Sequence, residues 1–547
     1  MNLHPAIAEI LNHRGVCSPE DLEEFLSERP QKTYDPFLLP HMDAGVDLVL
    51  SACQSGEKIC IYGDYDADGV TSTVLMLDVL QALAKDPKQI TCYIPSRFDE
   101  GYGLNSKALD KIQSQGVSLV LTVDCGSVSV EEVAHAKELG LAMVVTDHHK
   151  MGTQVPDCPV INPVHPESAY PFPYLAGVGV AFKLAQALAA RADLSRTVLL
   201  RNLDLVAIGT IGDVVPLQDE NRTLVKFGLR ALRVSTRPGL VALLEKNGIA
   251  KSTLTSEQVA FGVVPPINAS GRMKSAYGAV RMLAAKTVDQ GQREAEQLLR
   301  YNQERRAVQA TVFDQCVEEI QKMDALPSVL ILNLEDAHEG ITGIVAGRLK
   351  DTYHVPAVLV TATEDGCYKG TGRAPEGIHL YDLLAHAKDL YLRFGGHSAA
   401  CGFTLPQEAY SAFRQRILET MEAWQAKDPT LGMALPEPDA FLAGEELDQN
   451  FLDQQLLLEP FGKGNPKPLI AMELQPGPVT HMGADGKYLK FQGTTDCGTQ
   501  LECVVFQQVE TIEPQLSGES LTVLGNLERR TWRGRESIQM IVTGVEA

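Results

Sequence analysis

Residues 59–84 read ICIYGDYDADGVTSTVLMLDVLQALA. The first six residues, ending at Asp64, form a short apolar run that reads as a β-strand, and TSTVLMLDVLQALA reads as a helix behind it. The alternation continues through ITCYIP, SLVLTVD, a helix over 130–139, and LAMVVTD. Across 58–163 this is the pattern of a parallel sheet with crossover helices. Three of the strand-like runs end in an aspartate: Asp64, Asp124 and Asp147. Ligands of open α/β sheets collect outside the carboxyl ends of the strands, so the three acids meet in one crevice if their strands are neighbours.

Asp64, Asp66 and Asp68 lie two residues apart, which in an extended segment sends their carboxylates to one side. Three such charges repel unless a cation neutralises them. An EF-hand loop also opens D-x-D-x-D-G, but it needs a Glu six residues after the Gly and a preceding helix; position 75 is Leu and a strand precedes it. A solvated polar turn is the plain alternative for these acids taken alone. Asp124 in TVDCGS and Asp147, His148 and His149 in VVTDHHK add two more acidic strand ends and a pair of imidazoles. Carboxylates mixed with imidazole suit Mn²⁺, Mg²⁺ or a related divalent ion, and the lack of a thiolate cluster argues against structural zinc. Asp213 in IGTIGDVVPL can complete the site from a helix end, where a lone Asp is more often a cap.

The 547 residues allow three or four domains at about 150 residues each. Composition, with 44% hydrophobic and 22% charged residues, is that of an ordinary globular protein. No apolar run reaches the roughly 18 to 20 residues of a membrane span, and the N-terminus has no signal-peptide character, so a cytoplasmic protein without membrane contact is expected. Eleven cysteines with no C-x-x-C pair fit free thiols in a reducing compartment. The net charge of −22 by itself speaks against a non-specific DNA binder. After Pro171 the chain becomes mostly helical, with a long linking helix within 285–320; a second α/β unit runs from Ser328, and DPTLGMALPEPDA is the clearest linker. Strand-like runs separated by Gly and Asp turns then suggest a small all-β barrel.

In order, GDYDADG, VDCG, TDHH and GDVVPL resemble the DHH phosphoesterase superfamily, and the resemblance extends to its RecJ-like single-stranded-DNA-specific exonucleases. The further segments that carry it are ILNHRGVCSPEDLEEFL, DPFLLPHMDAGV, IPSRFDEGYGLN at 94–105, GVGVAFKL at 177–184, INASGRM at 267–273, HEGITGIVAGRL at 338–349, KGTGR at 369–373, GGHSAACGF at 395–403 and PFGKGNPKP at 460–468, nearly the whole chain. The fold it implies is α/β: a parallel-sheet DHH lobe and a second α/β DHH-associated lobe joined by a long helix, plus a small C-terminal OB-like barrel. The matching domains are a helical lead-in at 1–47, the DHH catalytic domain at 48–235, a helical connector at 236–326, the DHH-associated substrate-binding domain at 327–425, a linker at 426–440 and a nucleic-acid-binding barrel at 441–547.

The activity implied is metal-dependent hydrolysis of single-stranded DNA from the 5′ end to mononucleotides in repair or recombination. Two divalent ions, Mn²⁺ first and Mg²⁺ second, would be held chiefly by Asp66, Asp68, Asp124, His148 and Asp213, with Asp64 and Asp147 as further ligands or orienters. His149 is the candidate for polarising the scissile phosphate or protonating the leaving oxygen, with Asp147 beside it. Arg97, Thr371 and Arg373 match a terminal-phosphate pocket, His397 a substrate-facing element of the second lobe, and Asn268 and Arg272 the INASGRM segment; Tyr102 is a candidate for stacking on a base. Arg529, Arg530, Trp532, Arg533 and Arg535 in LERRTWRGRES form a basic cluster with an aromatic, as on a single-strand platform or in an ordinary hairpin.

The chain departs from the RecJ-like pattern where Pro266 stands for the usual Arg before Ile-Asn, where Thr371 and Ala374 replace serines, and where Cys401 replaces a common Ala. An intact metal site with an altered phosphate clamp implies a slower or differently selective nuclease. A small-substrate DHH phosphodiesterase acting on oligoribonucleotides, phosphoadenosine phosphate or cyclic dinucleotides is the alternative, but such enzymes generally lack the flanking segments. A catalytically silent DNA-binding scaffold is the other, but such relatives lose the ligands that remain here. A monomer working with a single-strand-binding protein and a helicase completes the expectation. The excess acidity then gathers partly in a metal crevice, where bound cations reverse its sign.

Overall fold

The computed structural model describes residues 3–97, 100–101, 103–334, 336–363, 365–429, 431–432, 437–483, 486–516, 520–532 and 535–546. Tyr102 and Arg533 lie outside the described residues, as do the side chains of Trp532 and Arg535. The chain forms two compact units, one of Arg14–Gln303 with Gln455–Lys467, the other of Met1–His13, Glu304–Gln454 and Pro468–Ala547. The segment Gln455–Lys467, which its sequence position assigns to the C-terminal domain, thus packs within the first unit.

The first unit is built on five parallel strands: β1 (Ile59–Gly63), β2 (Ile90–Tyr93), β3 (Leu119–Val123), β4 (Ala142–Thr146) and β5 (Val160–Ile161), in the order β2-β1-β3-β4-β5. Every residue of β1 and β3 is buried, as expected for a parallel sheet covered on both faces. The period of two divides them. Ile59, Ile61, Leu119 and Leu121 join a large core with helix α1 (Ala67–Leu83). Cys60, Tyr62 and Val120 pack the other way, against α2 (Ser106–Ser114) and α3 (Val130–Glu138). Helices α4 (Gly177–Arg191) and α5 (Arg196–Gly212) lie on the α1 side, which explains why α1 is apolar nearly all round.

Each strand stops one residue before its aspartate, so Asp64, Asp124 and Asp147 stand in the loops just beyond β1, β3 and β4. At Asp124 the reason is visible in the backbone: φ is 63°, a left-handed conformation that cannot continue a ladder. Helix α1 starts four residues earlier than the TST run suggests, because Asp66 caps it, its side chain accepting from the Asp68 and Gly69 amides at 3.0 and 3.1 Å. Further along, α6 (Val264–Met273) has its two prolines in the first turn, where a missing N–H costs least, and follows a π-helical turn at Val259–Val263.

Helix α7 (Val288–Gln321) carries the chain into the second unit, close to the linking helix expected over 285–320. There β6 (Leu330–Asn333), helix α8 (Glu339–Tyr353) and β7 (Ala357–Ala362) form the expected parallel unit. The sheet continues antiparallel through β8 (Cys367–Arg373), β10 (Ala400–Pro406) and β9 (Arg393–Gly396), in the order β6-β7-β8-β10-β9. The glycines of KGTGR hide β8, and Gly395 and Gly396 hide β9, from a hydrophobic pattern. In the C-terminal part, β12 (Ile470–Pro476), β14 (Tyr488–Thr494), β15 (Gln500–Val505), β16 (Leu521–Trp532) and β17 (Arg535–Glu546) close into a five-stranded barrel through β12–β16, β16–β17, β17–β15, β15–β14 and β14–β12 pairing. Two short strands, β11 (Ala440–Phe441) and β13 (Thr480–Met482), flank it. All eleven cysteines are free, and among the described residues no helix is long and apolar enough to cross a membrane.

Candidate metal centre

Because β1, β3 and β4 are neighbours, their carboxyl ends deliver Asp64, Asp124 and Asp147 to one place, at the point where strand order reverses beside β1. Asp64, Asp68 and Asp124 are buried to 3%, 1% and 2% exposure. His148 Nε2 lies 3.2 Å from Asp124 Oδ1, 3.5 Å from Asp213 Oδ2 and 3.9 Å from Asp68 Oδ2. Three overlapping groups each bring their ligand atoms within 4.8 Å: Asp64, Asp66 and Asp124; Asp68, His148 and Asp213; Asp124, His148 and His149. The six residues singled out as metal ligands therefore all belong to one cluster.

Burial and mutual repulsion act on these acids together. Desolvation, then the Asp66 charge, pushes Asp64 up to about 8. Asp213 rises to about 7 by the same two causes, while Asp68 and Asp124 are held well above the carboxylate range. Burial and the neighbouring His149 charge bring His148 down to about 4, so its ring is neutral and able to ligate. Among the described residues, Asp64 Oδ1, Asp124 Oδ1 and His148 Nε2 are buried with no hydrogen-bond partner. Such atoms are costly to leave bare. Hard oxygen donors with one imidazole are the donor set a Mn²⁺ or Mg²⁺ site uses, so the residues present fit divalent cations.

Asp147 is arranged differently. Its Oδ2 accepts from the Ser127 amide at 2.8 Å, and its Oδ1 accepts from the amides of His148 and His149 at 2.7 and 3.1 Å and meets His149 Nδ1 at 2.8 Å. Burial alone would raise its pKa, but the His149 hydrogen bond and charge outweigh that and depress it. Burial likewise pulls His149 down, yet Asp147 carries it up to about 9. Asp147 is thus occupied in holding the loop and one histidine, and the protonated His149 keeps Nε2 as its second donor nitrogen.

The phosphate-facing candidates divide between the units. Arg97 stands 5.2 Å above the Tyr65 ring, and Arg97 and Arg272 both counter the rise that burial imposes on the Tyr65 hydroxyl, which places both arginines beside the acidic loop. Asn268 Oδ1 accepts from the Ala67 amide at 2.7 Å, which ties α6 to the start of α1 and so to the acidic loop. Pro266 is buried in α6. In the second unit Thr371 and Arg373 lie on β8 against α8, where a side chain at Gly343 would meet both at 3.1 Å. His397 is exposed in the tight turn between β9 and β10. Arg529 and Arg530 pair with Asp453 and Glu502, so these two arginines of the basic cluster are engaged within the barrel region.

Several residues that build the site carried no role in the sequence pattern. The amides of Gly177 and Val178, at the start of α4, donate to Asp68 Oδ2 and Oδ1 at 2.6 and 2.8 Å. A Cβ at Gly177 would lie 2.5 Å from Asp124 Oδ1, and one at Gly209 would strike Thr71 Oγ1 and approach Asp68. Asn162, fully buried, donates to Ser127 Oγ at 2.8 Å and to the His149 carbonyl at 2.9 Å. Only GVGVAFKL gave a signal, and that through resemblance.

Comparison with known proteins agrees with this construction. Residues 58–210 match the family described as the DHH family, N-terminal domain, residues 326–426 the DHHA1 domain, and residues 438–544 the RecJ OB domain. The chain is 35% identical to the single-stranded-DNA-specific exonuclease RecJ of Bacillus subtilis, over 99% of this chain and 68% of that protein. To the RecJ of Salmonella typhimurium it is 32% identical over 100% of this chain and 96% of the other. The crystal structure of Thermus thermophilus RecJ in complex with Mn²⁺ superimposes with a TM-score of 0.80 at 29% identity, covering 100% of this chain and 76% of that one; a structure of the same protein holds Mg²⁺.

Proposed function

The chain belongs to the RecJ family, and we propose from that membership that it is a metal-dependent exonuclease that hydrolyses single-stranded DNA from the 5′ end to mononucleotides. The observation that carries the reading is the acidic cluster beyond the ends of adjacent strands, in which Asp64 Oδ1, Asp124 Oδ1 and His148 Nε2 are buried and bare beside Asp68. Asp64, Asp66, Asp68, Asp124, His148 and Asp213 would hold two divalent cations, Mn²⁺ or Mg²⁺. When bound there, the cations neutralise the carboxylates and supply Lewis-acid charge toward a phosphodiester.

The protein's own groups do the rest. Asp68 is fixed by two backbone amides and cannot swing away when substrate arrives. Asp147 holds Nδ1 of His149 and keeps the ring protonated, so the ring carries a second N–H, at Nε2, with which to meet substrate. In that role it hydrogen-bonds a non-bridging phosphate oxygen or gives its proton to the departing O3′ of the terminal nucleotide. Water adds to phosphorus, the P–O3′ bond breaks, and the remaining strand begins with a new 5′-phosphate. Arg97 and Arg272 supply fixed positive charge next to the acidic loop, suited to a strand phosphate. Thr371 and Arg373 form a terminal-phosphate subsite on the second α/β lobe, His397 is a substrate-facing element of that lobe, and the barrel at 441–547 binds single strands. The domain division given above is kept, except that Gln455–Lys467, within its last stretch, packs in the first unit.

The full length of the similarity, barrel included, favours a polymer over a small phosphodiester. The reading extends to a cytoplasmic monomer cooperating with a single-strand-binding protein and a helicase; the free cysteines fit a reducing compartment. It is tested by comparing hydrolysis of one oligonucleotide in single-stranded and duplex form with Mn²⁺ and with EDTA. Metal-dependent loss of the single strand alone is expected, and equal attack on duplex would overturn it.

A further inference from the structure

The segment PFGKGNPKP at 460–468 matched the family without acquiring a role, and the structure gives it a position. Although it follows the second α/β lobe in sequence, residues Gln455–Lys467 pack in the first unit. They are tied down from several sides. Arg222 donates to the carbonyls of Leu458 and Glu459 at 3.1 and 3.0 Å, and the Ser256 hydroxyl to that of Phe461 at 2.8 Å. Asn465, 3% exposed, closes the loop internally by donating to the carbonyls of Leu458 and Pro460 at 2.8 Å.

The contact that matters lies against the chain just after Asp213. The Leu217 amide donates to the Lys463 carbonyl at 2.7 Å, and Gln218 Nε2 donates to the Gly464 carbonyl at 2.9 Å. Lys463 stands between two glycines that this approach requires. A Cβ at Gly462 would lie 2.7 Å from Leu217 Cδ1; Gly464 has a left-handed φ of 76°, and a Cβ there would press on Gln218 at 3.1 Å. The loop is therefore held hard against 217–218 while offering one exposed cation. Among the described residues no ion pair engages Lys463.

A rigid loop that sets an uncommitted ammonium at the edge of an acidic, cation-binding crevice has an evident use for a polyanionic substrate. The geometry points to Lys463 as a phosphate-binding residue for the single-stranded DNA entering the metal centre, a contact supplied by a segment that returns from beyond the second lobe. This inference rests on the nuclease reading above. Lysine suits the task as a mobile point charge: it neutralises a backbone phosphate without reading sequence.

The test is the salt dependence of oligo(dT) hydrolysis by the full-length protein, Lys463→Ala and Lys463→Arg in Mn²⁺ between 50 and 200 mM salt. Loss of one phosphate contact on a single strand should make the log–log slope of kcat/KM shallower by about 0.7. The advantage of the native enzyme over Lys463→Ala should thus shrink roughly 2.5-fold across that range, while Lys463→Arg keeps the native slope. A drop in Lys463→Ala that is the same at every salt concentration, or no drop, would overturn the proposal, the first because it signals a structural role. Fluorescence anisotropy of a labelled oligo(dT) in the same salt series reads the slope independently of turnover. A native protein inert toward oligo(dT) would therefore fail the nuclease reading, while the anisotropy slopes of native protein and Lys463→Ala would still decide the Lys463 contact: a difference of about 0.7 supports it and equal slopes overturn it.

Discussion

The Asp147 carboxylate lies 2.8 Å from Nδ1 of His149 and also accepts the amides of Ser127, His148 and His149, so one buried acid sets both the loop and the protonation of the ring. Within Asp-His-His the first residue orients, the second faces the carboxylates, and the third stays the more exposed of the two rings. Replacing Asp147 with Asn keeps the shape but removes the charge that holds His149 up at about 9 against the pull of burial. Activity should fall on the order of 10 to 100-fold, as for other partners that orient a site histidine. The alkaline limb of the pH–rate profile should move to lower pH, because His149 then loses its proton earlier. A pH profile of kcat for native and Asp147→Asn protein checks both.

The four acids raised by burial make the metal-free protein sensitive to alkali. A carboxyl whose folded pKa lies above its unfolded value holds its proton better when folded, so its stabilising effect is complete below about 4 and is lost as pH rises through the folded value. For Asp213 and Asp64 that loss runs up through about 7 and about 8. The melting temperature of the EDTA-treated protein should fall between about pH 5 and 8, and the increment given by Mn²⁺ should grow over the same interval, since binding must displace fewer protons. Differential scanning calorimetry at several pH values reads this directly.

At Gly177 an alanine would place its Cβ 2.5 Å from Asp124 Oδ1. Alanine normally favours a helix, so a neutral or stabilising effect would be expected from propensity alone. Here Gly177→Ala should cost about 1 to 3 kcal/mol of stability through overpacking and should weaken Mn²⁺ binding. Urea unfolding with and without metal, together with calorimetric titration of Mn²⁺, separates the two effects.

The second lobe makes a separate claim. If Thr371 and Arg373 on β8 take the terminal phosphate, Arg373→Ala should narrow the preference for a 5′-phosphorylated over a 5′-hydroxyl oligonucleotide by roughly 10-fold, the size of one lost charge-assisted contact of about 1.4 kcal/mol. Competition between the two oligonucleotides in one digest gives the ratio without reference to total activity.

The acidic strand ends and the D-x-D-x-D spacing were legible because a few consecutive residues dictate both the strand and its ending. The parallel order of β1, β3 and β4 followed from the same alternation. Other parts of the site depend on contacts that no local spacing records. Asp68 is held by Gly177 and Val178, more than a hundred positions away, and Asn268 meets Ala67 across two hundred. The division of labour between Asp147 and its two histidines turns on backbone amides, which every residue but proline carries and no sequence pattern marks. In the second lobe the glycine-rich strands β8 and β9 lack the apolar alternation that exposes strands elsewhere. The loop of Lys463 reads as part of the C-terminal domain because its neighbours in sequence are there, while its packing is in the first unit.

The central claim is that buried Asp124, with its neighbours, holds the metal that drives hydrolysis from the 5′ end. The most direct test is digestion of single-stranded DNA labelled at the 5′ or the 3′ end, with Mn²⁺, by native protein and by Asp124→Asn. The native enzyme should release labelled mononucleotide from the 5′ label first, and Asp124→Asn should release essentially none while remaining folded. First release from the 3′ label would contradict the direction of attack, and undiminished digestion by Asp124→Asn would contradict the metal centre itself.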